Sequence, residues 1–225
     1  MPAGKYSFYL HTDDRTDMLA AGTLDTVSQP LRGEFLRTAA IAGSVLFRVD
    51  NRLPGLVTEL FDGQLRYGQL VSLFAALTGL YDRALFPPSE TLPGVTGGVY
   101  GLPDKTDRRR FTLLLPDSAE SRQVAALLEG TPSRQRGMLL RNLIIAGFAL
   151  HTLDPRLPRL LASMPVPPGS IEALRLLTAQ VAGVTVPGTA EGAARESSGK
   201  EDRPAEQSAS PAGQSVLRQN MKKLF

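Results

Sequence analysis

LRGEFLRTAAIAGSVLFRVDNRLPGL, residues 31–56, returns as QRGMLLRNLIIAGFALHTLDPRLPRL at residues 135–160. The two stretches align without a gap at a constant offset of 104, and 13 of the 26 positions are identical, among them the pairs Gly43/Gly147, Asp50/Asp154, Arg52/Arg156 and Pro54/Pro158. An internal repeat decides how many units a chain folds into, so it is read before any local pattern.

A chain of 225 residues can form one large domain or two modest ones, and the duplication selects two. A unit of about 75 residues is close to the lower limit for holding a core alone, so the copies are expected to bury apolar surface against each other. With no Cys there is no disulfide and no thiolate metal site, which suits a reducing interior. The first residues lack a signal-peptide core, and no apolar run approaches the roughly 18 residues a bilayer span needs, so a cytoplasmic protein is expected. A formal charge of +3 permits nucleic-acid binding without requiring it.

Outward from the repeat, Lys5 to His11 alternates, with Tyr6, Phe8 and Leu10 on one side and Lys5, Ser7, Tyr9 and His11 on the other, the period of a half-buried strand. Arg110 to Leu115 is its copy, with Phe111, Leu113 and Leu115 apolar and Arg110 and Thr112 opposite. A gapless alignment would reverse that parity, so a one-residue slip is required. Each strand leads into a short helix. The first is capped by Asp14 and has Met18, Ala21 and Leu24 on its apolar side; the second is opened by the capping-box spacing Asp117 to Glu120.

The repeat itself follows as a long helix, opened by Pro30 in copy one and by Thr131-Pro132 in copy two. These helices are apolar on most sides and so must be buried. Gly43 and Gly147 cost about 1 kcal/mol each in mid-helix, which points to a close crossing of the two helices. Asp50 and Asp154 are expected to pair with Arg52 and Arg156. Shorter helices end each copy.

The resulting division is 1–80 first unit, 81–108 linker, 109–182 second unit, 183–214 disordered tether, and 215–225 an amphipathic segment. The linker is rich in Pro and Gly, and the tether is too polar to offset chain entropy. In the last segment Leu217, Met221, Leu224 and Phe225 lie opposite Arg218, Lys222 and Lys223.

A lone short strand leaves its backbone groups unpaired, and two copies solve this by pairing antiparallel about a pseudo-twofold. The expected fold is therefore mainly α with a two-stranded antiparallel ribbon, a tandem ribbon-helix-helix pseudodimer with accessory C-terminal helices. Such a ribbon fits the DNA major groove. The base-reading candidates are Lys5, Ser7, Tyr9, Arg110 and Thr112. Tyr9 is a base contact or a plain surface aromatic, and Arg110, after Arg108 and Arg109, reaches phosphate more readily than a base edge. The long-helix N-termini offer N–H groups to phosphates, with Ser28, Gln29, Arg32, Ser133, Arg134 and Arg136 as candidates. Arg32 and Arg136 can equally be helix-surface ion pairs. No nucleophile, base and orienter cluster occurs, and His11 and His151 are too isolated for a metal site, so neither an enzyme nor a cofactor is expected.

Strand-Asp-Asp, Thr23-Leu-Asp-Thr-Val27, the block Leu36 to Pro54, Thr58-Glu-Leu60 and the terminal Asn220-Met-Lys-Lys-Leu224 resemble the ParR/StbB centromere-binding adaptors of plasmid partition. The resemblance covers residues 5 to about 80, 109 to about 182, and the tail. It implies a sequence-specific binder of double-stranded DNA at centromere repeats, located in the cytoplasm on the plasmid. It also implies that a C-terminal peptide, here Leu217, Met221, Lys222, Lys223, Leu224 and Phe225, engages an actin-like ParM/StbA-type filament, and that the protein autoregulates its operon. Family members carry one unit per chain and form homodimers; this chain carries two. A ribbon-helix-helix repressor or antitoxin, and a protein scaffold that binds no DNA, are the alternatives.

Overall fold

Two strands, β1 (Gly4–His11) and β2 (Arg108–Leu115), pair antiparallel over their whole length, from Gly4 opposite Leu115 through Phe8 opposite Phe111 to His11 opposite Arg108. They belong to a computed structural model that describes residues 4–79 and 107–184. Copy one continues with α1 (Arg15–Asp25), a 3₁₀ turn (Gln29–Leu31), α2 (Arg32–Val49), α3 (Leu53–Leu60) and α4 (Tyr67–Thr78). Copy two follows β2 with α5 (Ala119–Glu129), α6 (Ser133–Leu153), α7 (Arg156–Ser163) and α8 (Ile171–Ala182). The chain is thus mainly helical with a two-stranded antiparallel sheet, built from a tandem duplication.

The strands obey the parity read from the apolar pattern. Phe8, Leu10, Leu113 and Leu115 are buried under the ribbon, and Phe8 stacks on Phe111 across it with ring centroids 5.4 Å apart. The required slip is located in the strand-to-helix connection. Four positions separate Leu10 from the α1 cap Asp14, but three separate Leu115 from the α5 cap Ser118. Matching Leu10 with Leu115 equates Lys5, Ser7 and Tyr9 with Arg110, Thr112 and Leu114, and the pseudo-twofold then passes through the paired residues Ser7 and Thr112.

Beneath the ribbon α2 and α6 cross. Leu36 and Ala39 to Leu46 are buried on one, Leu140 and Leu143 to Leu150 on the other. The crossing depends on two missing side chains. A Cβ at Gly43 would run into the Leu143 carbonyl, and one at Gly147 into the Ala39 carbonyl. Ala39 and Leu143 are themselves repeat counterparts, so this is one contact viewed from either side of the pseudo-twofold.

The copies share their core, since α3 packs on α6, α7 on α2, and α4 on α8. One apolar cluster runs through both, with Phe35 stacked on Phe148 at 4.9 Å. Each fully buried Leu or Phe in it contributes about 1.5–3 kcal/mol. Asp50 accepts from Arg52 N, Nε and Nη2 at 2.7–3.0 Å, and Asp154 meets Arg156 in the same way. Side-chain bonds from these arginines hold both carboxyls below the ordinary carboxylate range.

Several local expectations are corrected. The α5 cap is Ser118, whose Oγ accepts from Ser121 N, rather than Asp117. Thr131 does not cap α6, because its hydroxyl donates to Leu127 O; α6 opens at Ser133 with no side-chain cap. Pro30 lies in the 3₁₀ turn, and α2 starts two residues later. On α1 the buried side is Asp17, Ala20 and Leu24, with Met18 47% exposed, because Asp17 is drawn inward by partners described below. At the other end Gly183 closes α8 at φ +69°, with Val184 N donating to Ala179 O. The linker up to residue 106, the tether from residue 185 and the segment 215–225 lie outside the described residues.

Gly43→Ala is expected to force the helices apart and destabilise the fold by at least the 1–3 kcal/mol or so typical of an overpacked core. Gly22→Ala, where a Cβ meets nothing within 4 Å, should stabilise α1 by about 1 kcal/mol. Urea midpoints of the two variants compared with the parent check both signs; equal midpoints would remove the close crossing from the account.

Candidate functional site

With Phe8, Leu10, Leu113 and Leu115 facing the helices, the pleat directs Lys5, Ser7, Tyr9 and His11 of β1 and Arg108, Arg110, Thr112 and Leu114 of β2 to the opposite face. That face is partly organised by its own contacts. Arg110 donates from Nε and Nη2 to Ser7 Oγ at 3.3 and 3.1 Å. The Arg108 guanidinium lies 5.0 Å from the centroid of the Tyr9 ring, within cation–π range. The ribbon end is closed by Thr12, which bonds Asp107 through backbone and hydroxyl.

Beside β1 the start of α6 comes close enough that a Cβ on Gly137 would stand 3.8 Å from Ser7 O. A concavity of about 950 Å³ results, lined by Lys5, Ser7 and Tyr9 from the strand and by Ser133, Arg134 and Arg136 from the helix. Six residues singled out separately in the sequence thus surround one space, with Arg110 and Thr112 adjoining through Ser7. The α6 N-terminus has no side-chain cap and no acidic residue in its first turn; the Gln135 N–H donates to Pro132 O, which leaves those of Ser133 and Arg134, with the positive dipole end, for an anion. Ser28, Gln29 and Arg32, at the start of α2, are not part of that lining.

Arg32 and Arg136 have a structural role not seen in the sequence. Arg136 donates from Nε to Thr131 O at 2.9 Å and from Nη2 to Glu129 O at 3.1 Å. Arg32 makes the matching bonds to Val27 O and Asp25 O, and its Nη2 also meets the Asp25 carboxylate at 3.2 Å. Each ties the start of a long helix to the carbonyl end of the helix before it, where a cation is favoured.

Acids also line the concavity, Asp13, Asp14, Asp17 and Glu59. Two are committed inside the protein. Arg141 of α6 donates from Nε to Asp17 at 2.5 Å and from Nη2 to Asp14 at 3.1 Å, joining the copies. Asp17 also accepts from His11 N at 2.8 Å, the last residue of β1. Burial raises the Asp17 carboxyl pKa above its ordinary value, while the His11 N–H and Arg141 pull it down. The repeat counterparts of this pair are Arg37 and Ser121, and there Arg37 Nε and Ser121 Oγ are both buried without a partner. The ion pair therefore exists on one side of the pseudo-twofold only.

Sequence reading missed Arg108 and Leu114 on the outward face, where His11 lies as its alternation indicates. The parity that selected Arg110 and Thr112 also selects Leu114, whose apolar character hid it; it is 54% exposed. The segment carrying Leu217, Met221, Lys222, Lys223, Leu224 and Phe225 lies outside the described residues. Among the described residues no group of His, Asp or Glu is arranged to hold a metal ion, and no helix is long and apolar enough to cross a membrane.

Residues 4–74 and again 108–177 match the family model described as plasmid stability protein. The two matches cover more than half of the chain, which belongs to that family. A stretch of 72 residues is 33% identical to Protein StbB of Escherichia coli, covering 32% of this chain and 62% of that protein. The chain thus spans less than two thirds of the length of the curated relative it matches. No solved structure gives a significant match.

Asp17→Asn removes the buried counter-charge of Arg141 and is expected to cost about 3 kcal/mol in chemical unfolding. An unchanged unfolding midpoint would show that this ion pair does not hold the end of β1 to α6.

Proposed function

We propose that this member of the plasmid stability family is a sequence-specific DNA-binding adaptor of plasmid partition. Its paired strands form the ribbon of a ribbon-helix-helix pseudodimer, which enters the major groove of double-stranded centromere DNA. Lys5, Ser7, Tyr9, Arg110 and Thr112 read base edges, and Ser28, Gln29, Arg32, Ser133, Arg134 and Arg136 hold the flanking phosphates with the helix N-termini. The segment 215–225 links the complex to an actin-like ParM/StbA-type filament, and binding upstream of its own operon represses it.

One observation carries this reading: a two-stranded ribbon whose outward residues, Leu114 apart, are cationic or hydrogen-bonding, beside an uncapped helix N-terminus that bears Ser133 and Arg134. A polyanion with readable edges matches both features together. Backbone N–H groups and guanidinium forks take phosphates, while side chains on a twisted two-stranded ribbon reach into a groove about 12 Å wide.

Tyr9→Ala should reduce discrimination between the cognate site and random duplex by about 1–3 kcal/mol, whereas Arg134→Ala should weaken both alike and lower the salt slope by about one. Titrations at several salt concentrations measure the two effects. No salt-dependent complex with DNA upstream of the operon would end the reading. Deleting residues 215–225 is expected to leave DNA affinity unchanged and abolish filament recruitment in a sedimentation assay; lost DNA affinity would contradict the assignment of that segment.

A further inference from the structure

The two halves of the outward face occupy equivalent positions but are chemically different. The pseudo-twofold through Ser7 and Thr112 maps Lys5 onto Arg110, Ser7 onto Thr112 and Tyr9 onto Leu114. A homodimer must present the same three residues twice. Here one half offers Lys, Ser and Tyr, and the other Arg, Thr and Leu.

These differences bear on recognition. A guanidinium fork can take two acceptors of a guanine at once, whereas an ammonium is a single point charge. Tyr9 presents a hydroxyl, while Leu114 offers only apolar contact, and the apolar feature of the major groove is the thymine methyl. Leu114 is 54% exposed on a face otherwise cationic or polar, and Leu113 and Leu115 on either side of it supply the burial that folding needs. Folding therefore does not account for an exposed Leu at that position.

The helix starts differ in the same way. At repeat-equivalent positions Gln29, Pro30 and Glu34 of copy one stand where copy two has Ser133, Arg134 and Met138. The first turn of α2 holds an acid and that of α6 holds none. The α6 start, with the stronger cationic character, adjoins the Lys5, Ser7 and Tyr9 half.

We propose that the chain reads a single non-palindromic DNA element in one fixed orientation, with Leu114 as a specificity-determining residue that contacts a thymine methyl in the half opposite Tyr9. The inference rests on the DNA-binding reading above. Covalent fusion of the copies lets the halves diverge, and a divergent ribbon gives a bound complex a direction along the duplex. A series of such elements would align successive molecules head to tail.

The test is selection from a randomised duplex pool with the full chain, beside the symmetrised variant Lys5→Arg/Ser7→Thr/Tyr9→Leu. The parent is expected to enrich a motif whose halves are not inverted copies, and the variant an inverted repeat of the half read by β2. A second measurement is independent of how that variant folds. Replacing the contacted thymine by uracil should cost the parent about fourfold in affinity, the effect of one buried methyl, and cost Leu114→Ala nothing. A palindromic motif for the parent, or equal uracil effects on parent and Leu114→Ala, overturns the inference and leaves the DNA-binding reading intact. No enrichment of any sequence removes that reading, and the inference with it.

Discussion

The backbone pairing of β1 with β2 is the constraint on which the rest depends. Neither strand can satisfy its donors and acceptors alone, and each belongs to a different copy of the repeat, so the copies must close on each other for either to fold. The register of that pairing then decides every outward position. A shift by one residue would bury Lys5, Ser7 and Tyr9 and expose Phe8 and Leu10. Burial of Phe8, Leu10, Leu113 and Leu115 on the crossed helices excludes that shift, and the glycines at the crossing bring those helices close enough to share one core.

The pseudo-twofold is kept at the helix crossing and the turns that follow it, and broken at one internal ion pair and on the surface. The glycine contacts, the Asp–Arg closures after α2 and α6, and the Arg32 and Arg136 ties recur on both sides with matched partners. The Arg141 ion pair with Asp17 does not recur, and its counterparts Arg37 and Ser121 each keep a buried polar atom unpaired. The outward strand residues and the first turns of the long helices also differ. Of the features compared, one internal ion pair and the surfaces proposed to meet DNA are those that differ between the copies.

Much of the fold was legible in the sequence. An ungapped repeat fixes the number of units, apolar alternation fixes which strand faces turn inward, and mid-helix glycines announce the crossing. What escaped reading depended on contacts between distant residues. Asp17 looks like a first-turn helix acid until Arg141, 124 positions away, is brought to it. Arg32 and Arg136 read as phosphate contacts or surface ion pairs, and Arg32 does pair with Asp25, but the carbonyl partners of both lie across a turn whose path the sequence does not reveal. Asp117 shows that a cap signal displaced by one residue cannot be resolved locally, since the neighbouring Ser118 hydroxyl meets the same need, and Thr131 that a hydroxyl can bond back to the preceding helix instead. Leu114 was passed over for its chemistry, although the alternation had already placed it outward.

The central claim is that one polypeptide supplies both halves of the ribbon. The absence of native Cys makes it directly measurable. In Ser7→Cys/Thr112→Cys the two thiols face each other across the ribbon, and a short bifunctional thiol reagent should join them within one chain. Predominantly monomeric, internally crosslinked protein on a denaturing gel is the predicted result. Crosslinks found only between chains, or none at all, would contradict it.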